Sequence, residues 1–247
     1  MISREELAEL KNIRKTGLFY EEKEYLQYIF LYEISSWAEH FTFKGGTCLR
    51  ICYGSQRASE DLDFNTDFPP AKLREMISTS LQGFTLLNIP HTTSMKKERE
   101  GNLRFEIRFQ GPLFQGHPES TNTLKIDFNK RKVYCPVAKV VSKLFSDVPP
   151  FTIMIMEKQE ILAEKIRALF MRAESRDAYD VWWLLNQGVI LNKKLLQLKL
   201  DEEKKQFRSL KLPSVEEYHR DLEPILKVIP PHEQVEKEVM KVVGALN

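Results

Sequence analysis

Between residues 24 and 41, apolar residues such as Leu26 recur at steps of three and four. This spacing places them on one side of a helix. Residues 70–82 show the same period, and the preceding Pro69 and Pro70 favour a helix start. The pattern therefore predicts two amphipathic helices in this part of the chain.

Other segments alternate apolar and polar residues, namely 60–65, 103–109 and 124–128. A period of two is typical of a strand with one buried face. Residues 41–44 alternate in the same way before Gly45-Gly46-Thr47, which predicts a short strand, a glycine turn and a following helix. We expect these strands to form one sheet.

The pair Pro149-Pro150 interrupts the chain, and beyond it the apolar residues follow helical spacing. We therefore predict two parts. Residues 1–150 form an α/β domain with N-terminal helices, and residues 151–247 form a helical C-terminal region.

The composition narrows the classes of protein that remain. With 37 basic and 35 acidic residues, the net charge of +2 excludes a globally basic nucleic-acid coat protein. The three cysteines do not make a disulfide framework, and we expect them to be small buried residues. No apolar run approaches the roughly 20 residues that span a bilayer. We expect a cytoplasmic globular protein without a membrane segment.

Basic residues are concentrated between residues 125 and 143, where the single acidic residue is Asp127. The basic residues of this stretch are Lys125, Lys130, Arg131, Lys132, Lys139 and Lys143. Such a cluster is a candidate surface for an RNA phosphate backbone, although a solvated basic face explains the same pattern.

Two carboxylates carry the chemistry that the sequence suggests. Asp61 and Asp63 are two residues apart in a predicted strand, so their side chains share one face. Carboxylates held this close repel each other unless a cation lies between them. Mg²⁺ prefers such oxygen ligands, and it is usually bound by a few carboxylates together with substrate phosphates. Asp127 has the same phase in its own strand and could join the pair if the two strands are neighbours.

The alternative is that Asp61 and Asp63 simply lie on a solvated strand face. The upstream Gly45-Gly46-Thr47 favours a binding site, because glycines let the backbone approach a ligand and the amides of a helix start can bind phosphate. Two carboxylates with a third on a neighbouring strand can hold two metal ions for phosphoryl or nucleotidyl transfer.

Four motifs follow one another in a recognisable order. They are Lys44-Gly45-Gly46-Thr47, Ser59-Glu60-Asp61-Leu62-Asp63-Phe64 preceded by Arg57, Glu160-Ile161-Leu162-Ala163-Glu164-Lys165-Ile166, and Arg176-Asp177 with Tyr179-Asp180. The first two resemble the nucleotidyltransferase superfamily of DNA polymerase beta. The complete set resembles the AbiEii toxin family, over somewhat more than half of the chain.

The resemblance implies a minimal nucleotidyltransferase fold, a mixed sheet with flanking helices and a helical C-terminal region closing the cleft. It implies that Asp61, Asp63 and Asp127 bind Mg²⁺, with Mn²⁺ as an alternative, and that Lys165 and Asp180 complete the catalytic set. The residues that it assigns to nucleotide binding are Lys44, Gly45, Gly46, Thr47, Arg57, Ser59, Glu164 and Asp177.

Local alternatives stay open for several of these residues. Lys165 could be an ordinary exposed helix lysine, and Arg57 could lie in a surface loop. Asp177 and Asp180 share a helix face, but Ser175 could cap that helix while Asp177 complements its positive end.

The resemblance further implies transfer of a nucleoside monophosphate from an NTP to an acceptor hydroxyl. The acceptor would be RNA, with the tRNA 3′ end as a candidate, and the protein would be a toxin with a cognate antitoxin. Two alternatives are a glycosyltransferase with an Asp-x-Asp metal site and a catalytically degenerate module that binds nucleotides or proteins. The Gly-Gly-Thr motif argues against the glycosyltransferase.

Overall fold

A computed structural model of the chain describes residues 1–99, 102–203, 210 and 212–244. Its helices are α1 (Arg4–Arg14), α2 (Leu18–Ile34), α3 (Gly45–Tyr53), α4 (Pro70–Ser80), α5 (Gln82–Leu86), α6 (Lys158–Met171), α7 (Ser175–Asn186), α8 (Lys193–Asp201), α9 (Val215–Leu222) and α10 (His232–Gly244). Its strands are β1 (Phe41–Lys44), β2 (Leu62–Thr66), β3 (His91–Arg99), β4 (Asn102–Phe109), β5 (Asn122–Asn129), β6 (Pro136–Val141) and β7 (Phe151–Met156).

The strands form a seven-stranded sheet in the order β3-β4-β5-β2-β1-β7-β6. Strand β2 is the pivot of the topology, because it pairs antiparallel with β1 and parallel with β5. Strand β1 also pairs parallel with β7, and β4 pairs antiparallel with β3 and β5. The sheet is therefore mixed, as the sequence predicts.

One face of the central strands is aromatic and buried. The ring of Phe64 packs between those of Phe43 and Phe128, at centroid distances of 5.2 and 5.3 Å. Side chains alternate along a strand, so the residues between these phenylalanines point to the other face. The aromatic core thereby fixes which side chains face the polar side of the sheet.

The chain divides into two compact units. The first contains residues 1–54 and 58–155, including most of the sheet, and the second contains residues 55–57 and 156–247. Within the second unit α6 packs with α7 and α8, and α7 packs with α9 and α10.

The structure corrects three local predictions. The helix predicted to reach residue 41 ends at Ile34, and residues 35–40 form a 3₁₀ helix. No separate glycine turn precedes α3, which begins at Gly45 itself. Residues 151–156, predicted to be helical, form strand β7, because Phe151, Ile153 and Ile155 are buried on one side of it.

The sequence pattern does not predict β3 and β6. Both lie at the edges of the sheet, and most of the β6 side chains are exposed, so neither strand shows a clear alternation of apolar and polar positions. The strands predicted at residues 103–109 and 124–128 and the helix at residues 70–82 are present, within a few residues. In the described part of the chain no helix is long and apolar enough to cross a membrane.

Candidate active site

A row of charged side chains crosses three neighbouring strands. Asp63 of β2 is paired in register with Lys44 of β1 on one side and with Asp127 of β5 on the other. Register partners on adjacent strands point to the same face of the sheet. The fold therefore brings together Asp63 and Asp127, two of the three carboxylates that the sequence singles out.

Gly45 joins this row to helix α3. Its φ of +77° lies in the left-handed region, where residues with a side chain are strained. A Cβ at this position would lie 2.6 Å from Asp63 Oδ2, which is closer than a real contact allows. Glycine is therefore required here, and the first turn of α3 begins directly beside the Asp63 carboxylate.

Asp61 lies just before β2, two residues from Asp63. Burial raises the pKa of its carboxyl group, and the negative charges of Asp127 and Glu60 act in the same direction. Lys125 and Arg104 partly oppose this effect. Burial therefore makes the charge of Asp61 costly, and a cation bound beside it would offset that cost.

Arg104 of β4 contacts the third carboxylate. Its Nε and Nη2 donate hydrogen bonds of 2.7 and 2.8 Å to the two oxygens of Asp127. The Arg104 side chain is 46% exposed and that of Asp127 is 18% exposed. Sequence analysis missed this arginine. Since Arg104 and Asp127 are register partners, the pairing of β4 with β5 would have identified it.

Two hydroxyl groups hold the loop before β2 against α3. Thr47 Oγ1 lies 2.8 Å from Ser59 Oγ and also donates to the Asp61 carbonyl oxygen. Gln27 of α2 supports the same loop by donating to the Ser59 carbonyl oxygen. These contacts position the Asp61 backbone, and contact of Thr47 or Ser59 with a nucleotide stays a prediction.

The donor set of this face fits a divalent cation held partly by the substrate. Within the described ranges, no group of three or more His, Cys, Asp or Glu side chains is placed so that it could hold a metal ion. Mg²⁺ is commonly held by one or two carboxylates plus substrate phosphates, so Asp61 and Asp63 match this need. Asp127 adds to the negative charge, but both of its oxygens accept hydrogen bonds from Arg104.

A second cluster of charges lies within the helical unit, where Asp180 of α7 is fully buried. Arg57 donates paired hydrogen bonds of 2.7 and 2.6 Å to its two oxygens. Lys165 Nζ of α6 lies 2.7 Å from Asp180 Oδ2 and 2.8 Å from Asp177 Oδ1. Arg172 Nε completes the cluster at 3.0 Å from Asp177 Oδ2.

The cations of this cluster outweigh the effect of burial on both aspartates. Burial alone would raise the pKa of Asp180, but Arg57 and Lys165 hold it below its ordinary value. For Asp177, Lys165 and Arg172 likewise overcome burial and lower the pKa. The two carboxylates are therefore ionised and matched by three cations.

The contacts of this cluster can be compared with the alternative roles that the sequence leaves open for these residues. Arg57 is buried rather than part of a surface loop, and Lys165 is engaged by two carboxylates rather than exposed. Ser175 does not cap α7, because the N-cap residue is Glu174 and the Ser175 hydroxyl donates to Asp221. Contact of Arg57, Lys165 or Asp177 with a nucleotide stays a prediction.

Glu164 belongs to a separate buried contact in the helical unit. Lys199 Nζ of α8 lies 3.2 Å from Glu164 Oε1 and 2.7 Å from Glu160 Oε1. Sequence analysis missed Lys199, because a lysine in a lysine- and leucine-rich helix gives no signal of burial. The predicted role of Glu164 in nucleotide binding also stays a prediction.

The basic stretch from residue 125 to residue 143 is not one continuous strip. Lys125 lies on β5 and Lys139 on β6, with β2, β1 and β7 between them in the sheet. At about 4.8 Å per strand, four steps separate them by roughly 19 Å. Lys130 and Arg131 follow β5 directly, so they remain together.

The sequence matches a family model described as "Nucleotidyl transferase AbiEii toxin, Type IV TA system" over residues 29–237. The match covers all four motifs on which the resemblance rests. No curated protein sequence matches the chain.

Solved structures share the fold at low sequence identity. MenT4, a nucleotidyltransferase toxin from Mycobacterium tuberculosis, superposes with a TM-score of 0.71 and 18% identity, covering 100% of this chain and 90% of that one. JHP933 from Helicobacter pylori gives 0.62 and 18%, covering 94% and 93%. A putative nucleotidyltransferase from H. pylori gives 0.58 and 19%, covering 91% and 92%. The predicted fold class, a mixed sheet with flanking helices, is confirmed.

Proposed function

This chain belongs to the AbiEii family of nucleotidyltransferase toxins of type IV toxin–antitoxin systems, and from that premise we propose the reaction that it catalyses. It transfers a nucleoside monophosphate from an NTP to an acceptor hydroxyl, and pyrophosphate leaves. The acceptor hydroxyl oxygen forms a bond to the α-phosphorus, and the bond from that phosphorus to the oxygen bridging to the β-phosphate breaks.

The observation that carries the proposal is the row formed by Lys44, Asp63 and Asp127, with the start of α3 against it. The first amides of a helix have no partner within the helix, and they are oriented toward an anion. The row thus combines carboxylates, a buried lysine and helix amides beside each other. The carboxylates suit a divalent cation, and the lysine and the helix amides suit phosphate oxygens.

The carboxylates of the row and several residues beside it have proposed tasks. Asp61 and Asp63 hold Mg²⁺, with Mn²⁺ as the alternative. When bound, such an ion polarises phosphoryl oxygens and balances the charge that develops on them. The amides of Gly46 and Thr47 orient the triphosphate. Asp127 accepts the hydrogen bond of the acceptor hydroxyl, and Arg104 holds that carboxylate in position until the acceptor arrives.

Further partners follow from the family and the chemistry. We propose RNA as the acceptor, with the tRNA 3′ end as the first candidate, a cognate antitoxin that counters the toxin, and the cytoplasm as the site of action. Lys130, Arg131 and Lys132 are the basic residues that we propose for contact with the RNA backbone.

The test uses the full chain with total RNA, Mg²⁺ and each of four α-labelled NTPs in turn. Label enters RNA, whereas γ-labelled NTP leaves the RNA unlabelled, since the γ-phosphate departs in pyrophosphate. Asp63→Asn lowers incorporation by at least about 100-fold, the usual scale for loss of a transition-state charge contact. Glu75→Gln, an exposed carboxylate on α4, is the matched control and retains the rate.

Three outcomes would contradict the proposal. Transfer of sugar from a labelled nucleotide sugar, with none from NTP, would identify a glycosyltransferase. Binding of NTP without any incorporation would indicate a degenerate module. Equal incorporation by wild type and Asp63→Asn would remove the row from the chemistry.

A further inference from the structure

A second row of side chains crosses the same three strands next to the charged one. Asn65 of β2 is paired in register with Thr42 of β1 and with Asn129 of β5. Asn65 lies two residues beyond Asp63, so the two side chains share a face of the sheet. Beside this second row lies an open cavity of about 430 Å³. Residues of the first unit that line it include His40, Thr42, Asn65, Lys130 and Arg131.

Asn65 is only 3% exposed, yet neither atom of its carboxamide has a hydrogen-bond partner among the described residues. A buried polar group without a partner destabilises the fold, because it has lost its hydrogen bonds to water. Most buried side-chain amides in proteins are satisfied, so an orphaned one needs an explanation. A ligand that enters the adjoining cavity and offers both a donor and an acceptor would supply it.

The other lining residues narrow the chemistry of that ligand. The His40 ring is held against Phe68 at a centroid distance of 4.3 Å, which fixes a planar surface at the cavity. Its nitrogens lie 3.5 Å from Glu39 and 3.4 Å from Asp67, and these two carboxylates are largely exposed. Lys130 and Arg131 place positive charge at the same cavity.

A nucleotide matches these three features together. A carboxamide pairs in two places with a base edge that carries an adjacent donor and acceptor. Aromatic and imidazole rings stack on bases that are not paired, and lysine and arginine bind the adjoining phosphates. The volume also suits a molecule of this size, since small-molecule sites are typically about 300–1,000 Å³.

We propose that this cavity is a base-binding subsite that takes one nucleotide, with Asn65 reading the base edge and Lys130 contacting its phosphate. The inference rests on the proposed function for the biological source of this nucleotide, which is the acceptor strand, whose terminal hydroxyl must come close to Asp127. A free nucleotide acting as an effector is the second source of the same chemistry.

The first experiment measures binding without turnover. The full chain is titrated with each of the four nucleoside 5′-monophosphates in EDTA, so that no divalent cation links the ligand to Asp61 and Asp63. Wild type binds at least one of them. Asn65→Leu weakens its affinity by at least about 10-fold, the scale of a lost two-point base contact. Glu75→Gln, at an exposed position on α4, binds it as wild type does.

The same variant also serves as the control for correct folding. Leucine has a similar volume and no polar atoms, so Asn65→Leu retains or raises the melting temperature if the amide is otherwise unsatisfied. Lys130→Ala, at an exposed position, is a second variant that tests the phosphate contact without touching the core. It weakens binding several-fold and reduces its salt dependence, whereas Lys72→Ala on α4 does neither.

A turnover assay separates the two sources. If the acceptor strand occupies the subsite, Asn65→Leu raises KM for RNA but not for NTP, and the monophosphate competes with RNA. A free effector changes the rate without competing. No binding of any monophosphate at millimolar concentration overturns the proposal, and so does binding that Asn65→Leu leaves intact. These readouts stand even if no nucleotide transfer is found.

Discussion

Two groups of aspartates in this protein, spaced two and three residues apart along the chain, include members whose pKa values are shifted in opposite directions. On the sheet, burial together with neighbouring carboxylates raises the pKa of Asp61. In the helical unit, Asp177 and Asp180 are more deeply buried, but Arg57, Lys165 and Arg172 lower their pKa values. Burial is the largest influence on the pKa of Asp61, whereas neighbouring cations outweigh burial at Asp177 and Asp180.

The difference distinguishes a buried carboxylate that favours a cation from solution from buried carboxylates whose cations are neighbouring side chains. A carboxylate that is left under-neutralised costs stability and favours a cation from solution. One that is fully paired stabilises the fold only as long as its partners remain. The two groups differ in the cations around the carboxylates and not in the number of aspartates.

The largest expected effect is on the paired group. Asp180→Ala leaves the charges of Arg57 and Lys165 buried with one carboxylate fewer, so the free energy of unfolding falls by about 3–5 kcal/mol. Urea denaturation followed by circular dichroism measures it, with Glu75→Gln as the control within about 0.5 kcal/mol of wild type. A loss below about 1 kcal/mol would show that the cluster does not hold the helical unit together.

The next effect is on the response to acid. Because the pKa values of Asp177 and Asp180 are lowered in the folded state, their stabilisation is complete above the ordinary aspartate value of about 3.9. It is lost as the pH falls through the lowered values. Asp61 has the opposite sign, since its raised pKa makes ionisation costly as the pH rises.

Urea denaturation between about pH 2 and pH 7 tests this contrast. The acid-induced loss of stability is smaller in Asp180→Asn than in wild type. Asp61→Asn is more stable than wild type at neutral pH in EDTA, because the costly charge has been removed. Identical pH profiles for the three proteins would mean that the two groups do not differ.

The smallest change in stability comes from Arg104→Gln. The pair with Asp127 is partly exposed, so its loss changes the free energy of unfolding by less than about 1 kcal/mol. The same substitution removes a cation beside Asp61, Asp63 and Asp127, and the affinity for Mn²⁺ or Mg²⁺ rises several-fold. Calorimetric titration measures the affinity, and weaker metal binding would show that Arg104 instead preorganises the carboxylates.

Sequence patterns predicted the central part of the fold because its side chains alternate clearly. Leu62, Phe64, Ile126 and Phe128 fill the aromatic side of the sheet, so the phase of Asp63 and Asp127 could be read from the chain. Strand β7 was missed because it has only six residues and follows two prolines. Such a short apolar segment looks the same as the first turns of a buried helix.

Motifs and periodicity predicted the candidate residues of the site, but they did not predict the partners of those residues. The resemblance to the AbiEii family is confirmed, and the roles that it implies for Asp61 and Asp63 stay predictions. The partner of Asp127 depends on the pairing of β4 with β5, and the partner of Asp180 lies 123 residues away. Long-range contacts of this kind leave no signal in a single sequence.

The distance along the chain between Arg57 and Asp180 has a consequence for biosynthesis. The ribosome completes Arg57 when 123 residues still separate it from the carboxylate that will pair with it. Until then, the guanidinium has no such counter-charge to be buried with, and residues 55–57 cannot take their place among the helices. Burial of Arg57 against Asp180 therefore has to await a segment that is made well after it, whichever part collapses first.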